Sequence, residues 1–406
     1  MNITSNPSKI GRNTEDMSKT PEELEDVGDE SDQENETRSL QSIFGIDHSK
    51  FMQDGVKDEK IVNVPCNHRN TALHLSWSLL LECSRYRSDK KTNEDKVVVD
   101  DFSDDTLPVV VGCVVDGHAG EYAADFVKSV LGTTIDKKLR SILCSPSGTT
   151  KEELCQAIKD AFSLVDSMLC YSIFHLLPVS FYQQGTWLTG RQRQASRHNV
   201  EKHFKSVRMD SQADGPTRRI RGSGCVCASI AIVNSWILVS GLGDCGVLLK
   251  RLSGWEDMLP RHWPEEKEEQ QRIEKAGGHV HKNSISGILG VSRAFGDISY
   301  KESYYNMSER SRLHSSEDIV VPTPAVRCIE LTDDLQYCVL GSDGLFNALK
   351  KEVLVSTISG GIAKGLTGEA ICSEVLQMVR SVYDKQYRLR KEDDDVSICI
   401  LFFNQQ

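Results

Sequence analysis

Five places in the chain put a carboxylate where an apolar run begins or ends. Asp116, followed by Gly117 and His118, closes the run PVVVGCVV. Asn93-Glu94-Asp95 stands ahead of Lys96-Val-Val-Val, and Gly243-Asp244 follows Trp236-Ile-Leu-Val-Ser-Gly-Leu. Asp343-Gly344 follows Tyr337-Cys-Val-Leu-Gly-Ser, and Asp393-Asp394-Asp395 precedes Val396-Ser-Ile-Cys-Ile-Leu. Singly, each is a turn signal, because glycine takes positive φ at no steric cost and a short acid bonds the turn backbone. Together they suggest convergence on one edge of a core, where like charges raise one another's pKa unless cations neutralise them. Hard oxygen ligands with water completing the shell suit Mg²⁺ or Mn²⁺. Two such ions close together can activate a shared water and hold the phosphoryl oxygens of a substrate in line. A histidine beside them can protonate a leaving alkoxide, and His118 is placed for that task. Alone, it reads as an ordinary exposed or hydrogen-bonded histidine.

The elements that must deliver these acids are legible as strand-like runs at 96–99, 109–115, 225–233, 236–239, 247–249, 337–341 and 397–403. Amphipathic helical patterns fall at 121–139, 151–171, 265–276, 345–359 and 369–388. Strands often follow one another without a helix, so the order departs from strict βαβ alternation. An α+β sandwich with helices outside antiparallel sheets fits better. Residues 1–47 are polar and acid-rich and read as a disordered tail. A polar, locally basic stretch at about 183–222 reads as a long surface insertion in the domain spanning 60–403. Within it, Arg191-Gln-Arg193-Gln-Ala-Ser196 has the pattern of a basophilic kinase site, against the plainer reading of a solvated loop.

The 406 residues, 39 % of them hydrophobic, suffice for a large core. The net charge of -11 argues against broad nucleic-acid binding and is compatible with divalent cations. No membrane-spanning run, signal peptide or myristoylation glycine is found, and a cytosolic or nuclear monomer without membrane partners is the expectation. The 13 cysteines are odd in number and scattered through apolar segments, which suits reduced thiols better than a disulfide framework, and no CxxC pair suggests structural zinc.

On these residues the chain resembles the type 2C, metal-dependent serine/threonine protein phosphatases over roughly residues 60–403. Val114-Val-Asp-Gly-His-Ala-Gly, Gly222-Ser-Gly-Cys, Gly243-Asp-Cys-Gly, Arg272-Ile-Glu-Lys-Ala-Gly-Gly, Gly287-Ile-Leu-Gly-Val-Ser-Arg-Ala-Phe-Gly-Asp297, Gly341-Ser-Asp-Gly-Leu and Asp394-Asp-Val-Ser follow in the family's order. The resemblance implies an α/β/β/α sandwich of two antiparallel sheets flanked by helices, and hydrolysis of phosphoserine and phosphothreonine in phosphoprotein substrates. It implies that Asp116 bridges two Mg²⁺ or Mn²⁺ ions, with the Gly117 carbonyl and Glu94 on the second and Asp95 holding its waters. Asp343 and Asp394 would complete the first ion's shell, and His118 would be the general acid. A weaker third cation would sit near Asp244 and Asn347.

The chain also departs from that pattern. Lys90 stands where the family grips the substrate phosphate with an arginine, keeping the charge but losing the bidentate fork. Asn347 replaces an aspartate at the third-cation position, Gly246 replaces the arginine of Gly-Asp-Ser-Arg, and Arg261-His262 replaces Asp-His. Arg293 and Asp297 lie one turn apart if their stretch is helical, in which case an ordinary ion pair is the plain reading and neither is taken as catalytic. Two readings follow: a divergent metal-dependent phosphatase, or an inactive phosphatase-like scaffold. Retention of the whole two-metal set favours the enzyme.

Overall fold

The valine- and isoleucine-rich runs become strands of two antiparallel sheets, as β-branched residues packed between covering layers favour. The structure, a computed structural model, describes residues 62–70, 73–82, 93–104, 107–144, 149–175, 222–301, 317–390 and 394–405, all within one folded unit. The acidic tail, Lys90, Ser196 and all but the last residue of the 183–222 insertion lie outside the described residues.

The first sheet orders its strands β1 (Val62–Asn70), β2 (Leu73–Glu82), β14 (Val396–Gln405), β13 (Leu335–Gly341), β7 (Gly246–Arg251) and β8 (Gly254–Asp257). The second runs β12 (Ala325–Glu330), β6 (Trp236–Leu242), β5 (Gly224–Val233), β4 (Val109–His118) and β3 (Lys96–Asp101), with β11 (Phe295–Gly296) added to one end of β5. A two-stranded hairpin, β9 (Val280–His281) with β10 (Ser284–Ile285), stands apart.

Val110, Val114, Ile230 and Val239 of the second sheet meet Val247, Leu249, Cys338 and Leu401 of the first in a common core. Helices cover both outer faces. Helix α1 (Tyr122–Leu143) buries Phe126, Val127 and Leu131, and α2 (Lys151–His175) stacks Phe162 on Phe295 of β11 at 5.1 Å between ring centroids. On the other side α5 (Lys351–Ala363) and α6 (Gly368–Arg390) press Leu354, Ile358, Ile371 and Val375 onto Val339, Ile398 and Ile400. β5 is buried at every position because both of its faces are covered, so its sequence shows no polar alternation.

Two features differ from the sequence reading. The helix expected over 345–359 is divided into α4 (Asp343–Ala348) and α5, because Leu349 and Lys350 take extended backbone and turn the chain so that Leu349 is buried. Strands β1, β2, β8 and β12 add to the runs singled out; β12, an edge strand reading AVRCIE, is too charged and too exposed to announce itself. The short α3 (Lys267–Lys275) forms where helical periodicity indicates. Among the described residues the cysteines are free thiols, and no helix is long and apolar enough to cross a membrane.

Candidate active site

The acids singled out above arrive at one edge of the sandwich from both sheets. Glu94 and Asp95 lead into β3, and Asp116, Gly117 and His118 end β4, opposite Val226, Cys225 and Gly224 of β5. Asp244 lies in the turn from β6 to β7. Asp343 opens α4 directly after β13, and Asp394 and Asp395 lead into β14. The sheets are stitched together here by polar bonds. The Glu94 amide donates to Asp395 Oδ2 at 3.1 Å, and Ser397 Oγ donates to Asp95 Oδ2 at 2.8 Å. The Ser397 amide donates to Ser342 Oγ at 3.0 Å, tying the start of β14 to the turn that carries Asp343.

Crowding governs the electrostatics. Burial raises the Asp116 carboxyl well above the usual carboxylate range, and the charges of Asp95, Asp343, Asp244 and Asp394 raise it further. Burial, with the neighbouring charge of Asp395, pushes Asp95 up to about 7 despite the Ser397 hydrogen bond. Asp244 is likewise pushed up to about 7, by burial and then by Asp343. These acids are therefore mutual neighbours whose repulsion outweighs the counter-charge the protein supplies. The nearby Lys96 is committed elsewhere, donating to the Asn93 carbonyl at 2.7 Å and pairing with Asp125 at 3.4 Å.

Such a donor set fits a divalent cation, whose charge would remove the mutual repulsion. Among the described residues no three His, Cys, Asp or Glu side chains already close around one point.

His118 Nε2 lies 2.8 Å from Asp297 Oδ2, with the histidine side chain 28 % exposed and the aspartate 5 %. Burial lowers the imidazole pKa, but the charge and hydrogen bond of Asp297 outweigh it and the net direction is upward. A Cβ on Gly224 would collide with both side chains, so glycine is needed there for the pair to form. Asp297 itself sits at φ 48°, in the left-handed region that a short acid tolerates. Its neighbours fix it. The Asp297 amide donates to the Ser223 carbonyl at 3.2 Å, and the Gly296 amide donates to Asp166 Oδ1 at 2.9 Å. Asp166 Oδ2 holds Lys301 at 3.1 Å.

The ion pair expected between Arg293 and Asp297 does not form. The stretch is β11 and a turn rather than helix, and Arg293 Nε donates instead to Glu269 Oε1 at 3.0 Å. Asp297 is thus a site residue that the sequence reading passed over. Ala294-Phe295-Gly296-Asp297 does set an acid after an apolar pair and a glycine, but so short a run does not announce a strand. Asn347, exposed on α4, donates from Nδ2 to Asp343 Oδ2 at 3.1 Å.

A model of the family "Protein phosphatase 2C" matches residues 181–382. The chain belongs to that family. The matched stretch takes in Asp244, Asp297, Asp343 and Asn347, while Glu94, Asp95, Asp116, His118 and Asp394 lie to either side of it. Among curated phosphatases of the family, Protein phosphatase 2C 1 of Paramecium tetraurelia is 24 % identical over 313 residues, covering 77 % of this chain and 88 % of its own. Probable protein phosphatase 2C 11 of Oryza sativa subsp. japonica is 28 % identical over 272 residues, 65 % of this chain and 69 % of its own. The crystal structure of serine-threonine phosphatase 2C from Toxoplasma gondii has the same fold, with a TM-score of 0.55, 17 % identity, and coverage of 85 % of this chain and 98 % of that one. A second phosphatase from a pathogenic strain of Toxoplasma gondii gives a TM-score of 0.56 at 17 % identity. This phosphatase 2C chain therefore has the two-sheet sandwich of its relatives, with helices on both faces.

Proposed function

We propose that the chain hydrolyses phosphoserine and phosphothreonine in protein substrates, using two divalent cations, Mg²⁺ or Mn²⁺, held at the carboxylate edge. The observation that carries this reading is the gathering of Asp95, Asp116, Asp244, Asp343 and Asp394 from both sheets into one mutually repelling cluster. When bound, the two ions supply an activated water and neutralise the phosphoryl oxygens. Asp116 would be the carboxylate common to both ions, the Gly117 carbonyl and Glu94 would serve one with Asp95 holding its waters, and Asp343 with Asp394 would serve the other. His118 donates a proton to the leaving serine or threonine oxygen, which departs poorly as an alkoxide. Asp297 fixes the imidazole by its Nε2, which leaves Nδ1 as the nitrogen able to face the leaving group. Lys90 meets the substrate phosphate as a point charge.

A second reading, a phosphatase-like scaffold without turnover, is favoured by Asn347, whose amide takes up an Asp343 oxygen that a cation would otherwise use. One experiment separates them: Mn²⁺- and Mg²⁺-dependent phosphate release from a phosphothreonine peptide by the full chain and by Asp116→Ala. Release that needs metal and vanishes in the variant is the expected result. No release, together with no Mn²⁺ binding by calorimetry, overturns the enzyme in favour of the scaffold.

A further inference from the structure

Two of the departures noted in the sequence meet in space. Gly246 stands where the resembled family carries an arginine, and Arg261 where it carries an aspartate. A Cβ on Gly246 would collide with Arg261 Nη2 and with the ring of Phe346. The chain brings them together through His262, whose amide donates to the Gly243 carbonyl at 2.9 Å and whose Nδ1 accepts from the Gly243 amide at 3.1 Å. The missing guanidinium has thus been replaced from the facing loop.

The Arg261 side chain is only 9 % exposed. Its Nη1 donates to the Leu259 carbonyl at 3.1 Å and lies 3.5 Å from Asp257 Oδ1, while Lys351 holds the other oxygen of Asp257. Its guanidinium carbon stands 5.4 Å from the centre of the Phe346 ring, on the short helix that also carries Asp343 and Asn347. Nη2 is buried without a hydrogen-bond partner among the described residues, so it is sealed from any substrate phosphate. Asp257 is shared between two cations, so the arginine's charge is only partly neutralised at its own end. The paired bonds between His262 and Gly243 place it beside the turn that carries Asp244, since Arg261 adjoins one partner and Asp244 the other.

We propose that Arg261 is the resident cation on the Asp244 and Asn347 side of the cluster, so that the chain takes up two divalent ions and no third. The inference rests on the two-cation reading above. Its basis is charge. Two aspartates would offer a third ion two negative charges, whereas here Asp244 offers one, Asn347 offers none, and the incompletely neutralised Arg261 opposes it. A loosely held, largely hydrated divalent ion depends on that negative charge, and a fixed guanidinium within reach repels it. Asn347 adds a donor where a ligand oxygen would be needed.

The test is calorimetric titration of the full chain with MnCl₂ alone. Wild type saturates at two ions. Arg261→Gln/Asn347→Asp acquires a third, weaker event, at least about tenfold tighter than any further uptake by wild type, and adding Asp244→Ala removes it. Asn347→Asp alone changes an exposed position and should show part of the gain, which keeps the test open if the buried arginine cannot be replaced without unfolding. A third event in wild type that Asp244→Ala abolishes overturns the inference and leaves the two-cation reading standing. So does a folded double variant that still stops at two. A chain that takes up no manganese in any form overturns both.

Discussion

The molecule contains two knots of buried acid that solve the same problem in opposite ways. At the sheet edge, Asp95, Asp116 and Asp244 are crowded together with little counter-charge, and their carboxyls are pushed up, two of them to about 7. On α3, Glu269 is also buried, which by itself raises its pKa. Bonds from Arg293 and Ser292, with the charges of Arg293 and Arg272, reverse the direction and take it to about 2. Arg272 reaches it at 2.9 Å and Ser292 Oγ at 2.7 Å. The difference teaches what each knot is for. Glu269 is complete within the chain and locks the segment that carries Ser292, whose hydroxyl also bonds the His262 carbonyl, whereas the edge still lacks most of its counter-charge.

The comparison breaks if the two knots respond alike to mutation. Asp116→Ala should cut phosphatase turnover about a thousandfold or more, some 4 kcal/mol of barrier, while leaving the metal-free chain as stable or more so, because repulsion is relieved. Turnover assays and thermal melts without metal check both halves. Glu269→Ala should do the reverse, costing about 2 kcal/mol of stability by taking the shared carboxylate from two half-buried guanidinium groups. Urea unfolding measures it, and a loss below about 1 kcal/mol would mean that the knot contributes little. His118→Ala should slow hydrolysis of an alkyl phosphate about a hundredfold more than that of an aryl phosphate, whose leaving group scarcely needs a proton. Equal losses would remove His118 from the role of acid.

The knots should also respond to pH with opposite signs. Asp95 and Asp244 titrate near 7 in the folded chain against 3.8 as the ordinary value. Their contribution is therefore full below about pH 4 and lost as pH rises through 7. Glu269 titrates at about 2 and the buried His262 at about 4, so theirs is present above the ordinary values of 4.5 and 6.5 and lost as pH falls. Between pH 6.5 and 8.5 the metal-free chain should accordingly lose roughly 2 °C or more in Tm. Glu269→Gln should keep that slope, and saturating Mn²⁺ should flatten it. The smallest effect belongs to Lys90→Arg, which restores a bidentate fork and should lower KM for a phosphopeptide about threefold; an unchanged KM would show that the lysine already suffices.

The carboxylate edge was readable because each acid interrupts an apolar run, and the strands those runs form end on one side. Glu94, Asp95, Asp116, Asp244, Asp343 and Asp394 need only that strand count and register to meet. Asp297 was not readable in the same way. Its spacing from Arg293 suggests a helix, and what decides its partner is a pairing of Phe295 and Gly296 with β5 that brings it to a histidine 179 residues earlier. Glu269 was hidden for a related reason: in a glutamate-rich helix, nothing local marks which glutamate faces inward. Gly246 and Arg261 each read as a departure, and only their proximity makes them one exchange.

The edge is also a matter of timing during synthesis. The bonds that join Glu94 to Asp395 and Asp95 to Ser397 span 301 and 302 residues, and β14, which carries the distant partners, lies between β2 and β13 rather than at a margin. Contacts so far apart in sequence form late. A nascent chain that has not yet emerged past β14 lacks Asp394 and Asp395 and holds a sheet split through its middle, so the acidic edge closes only when β14 is made.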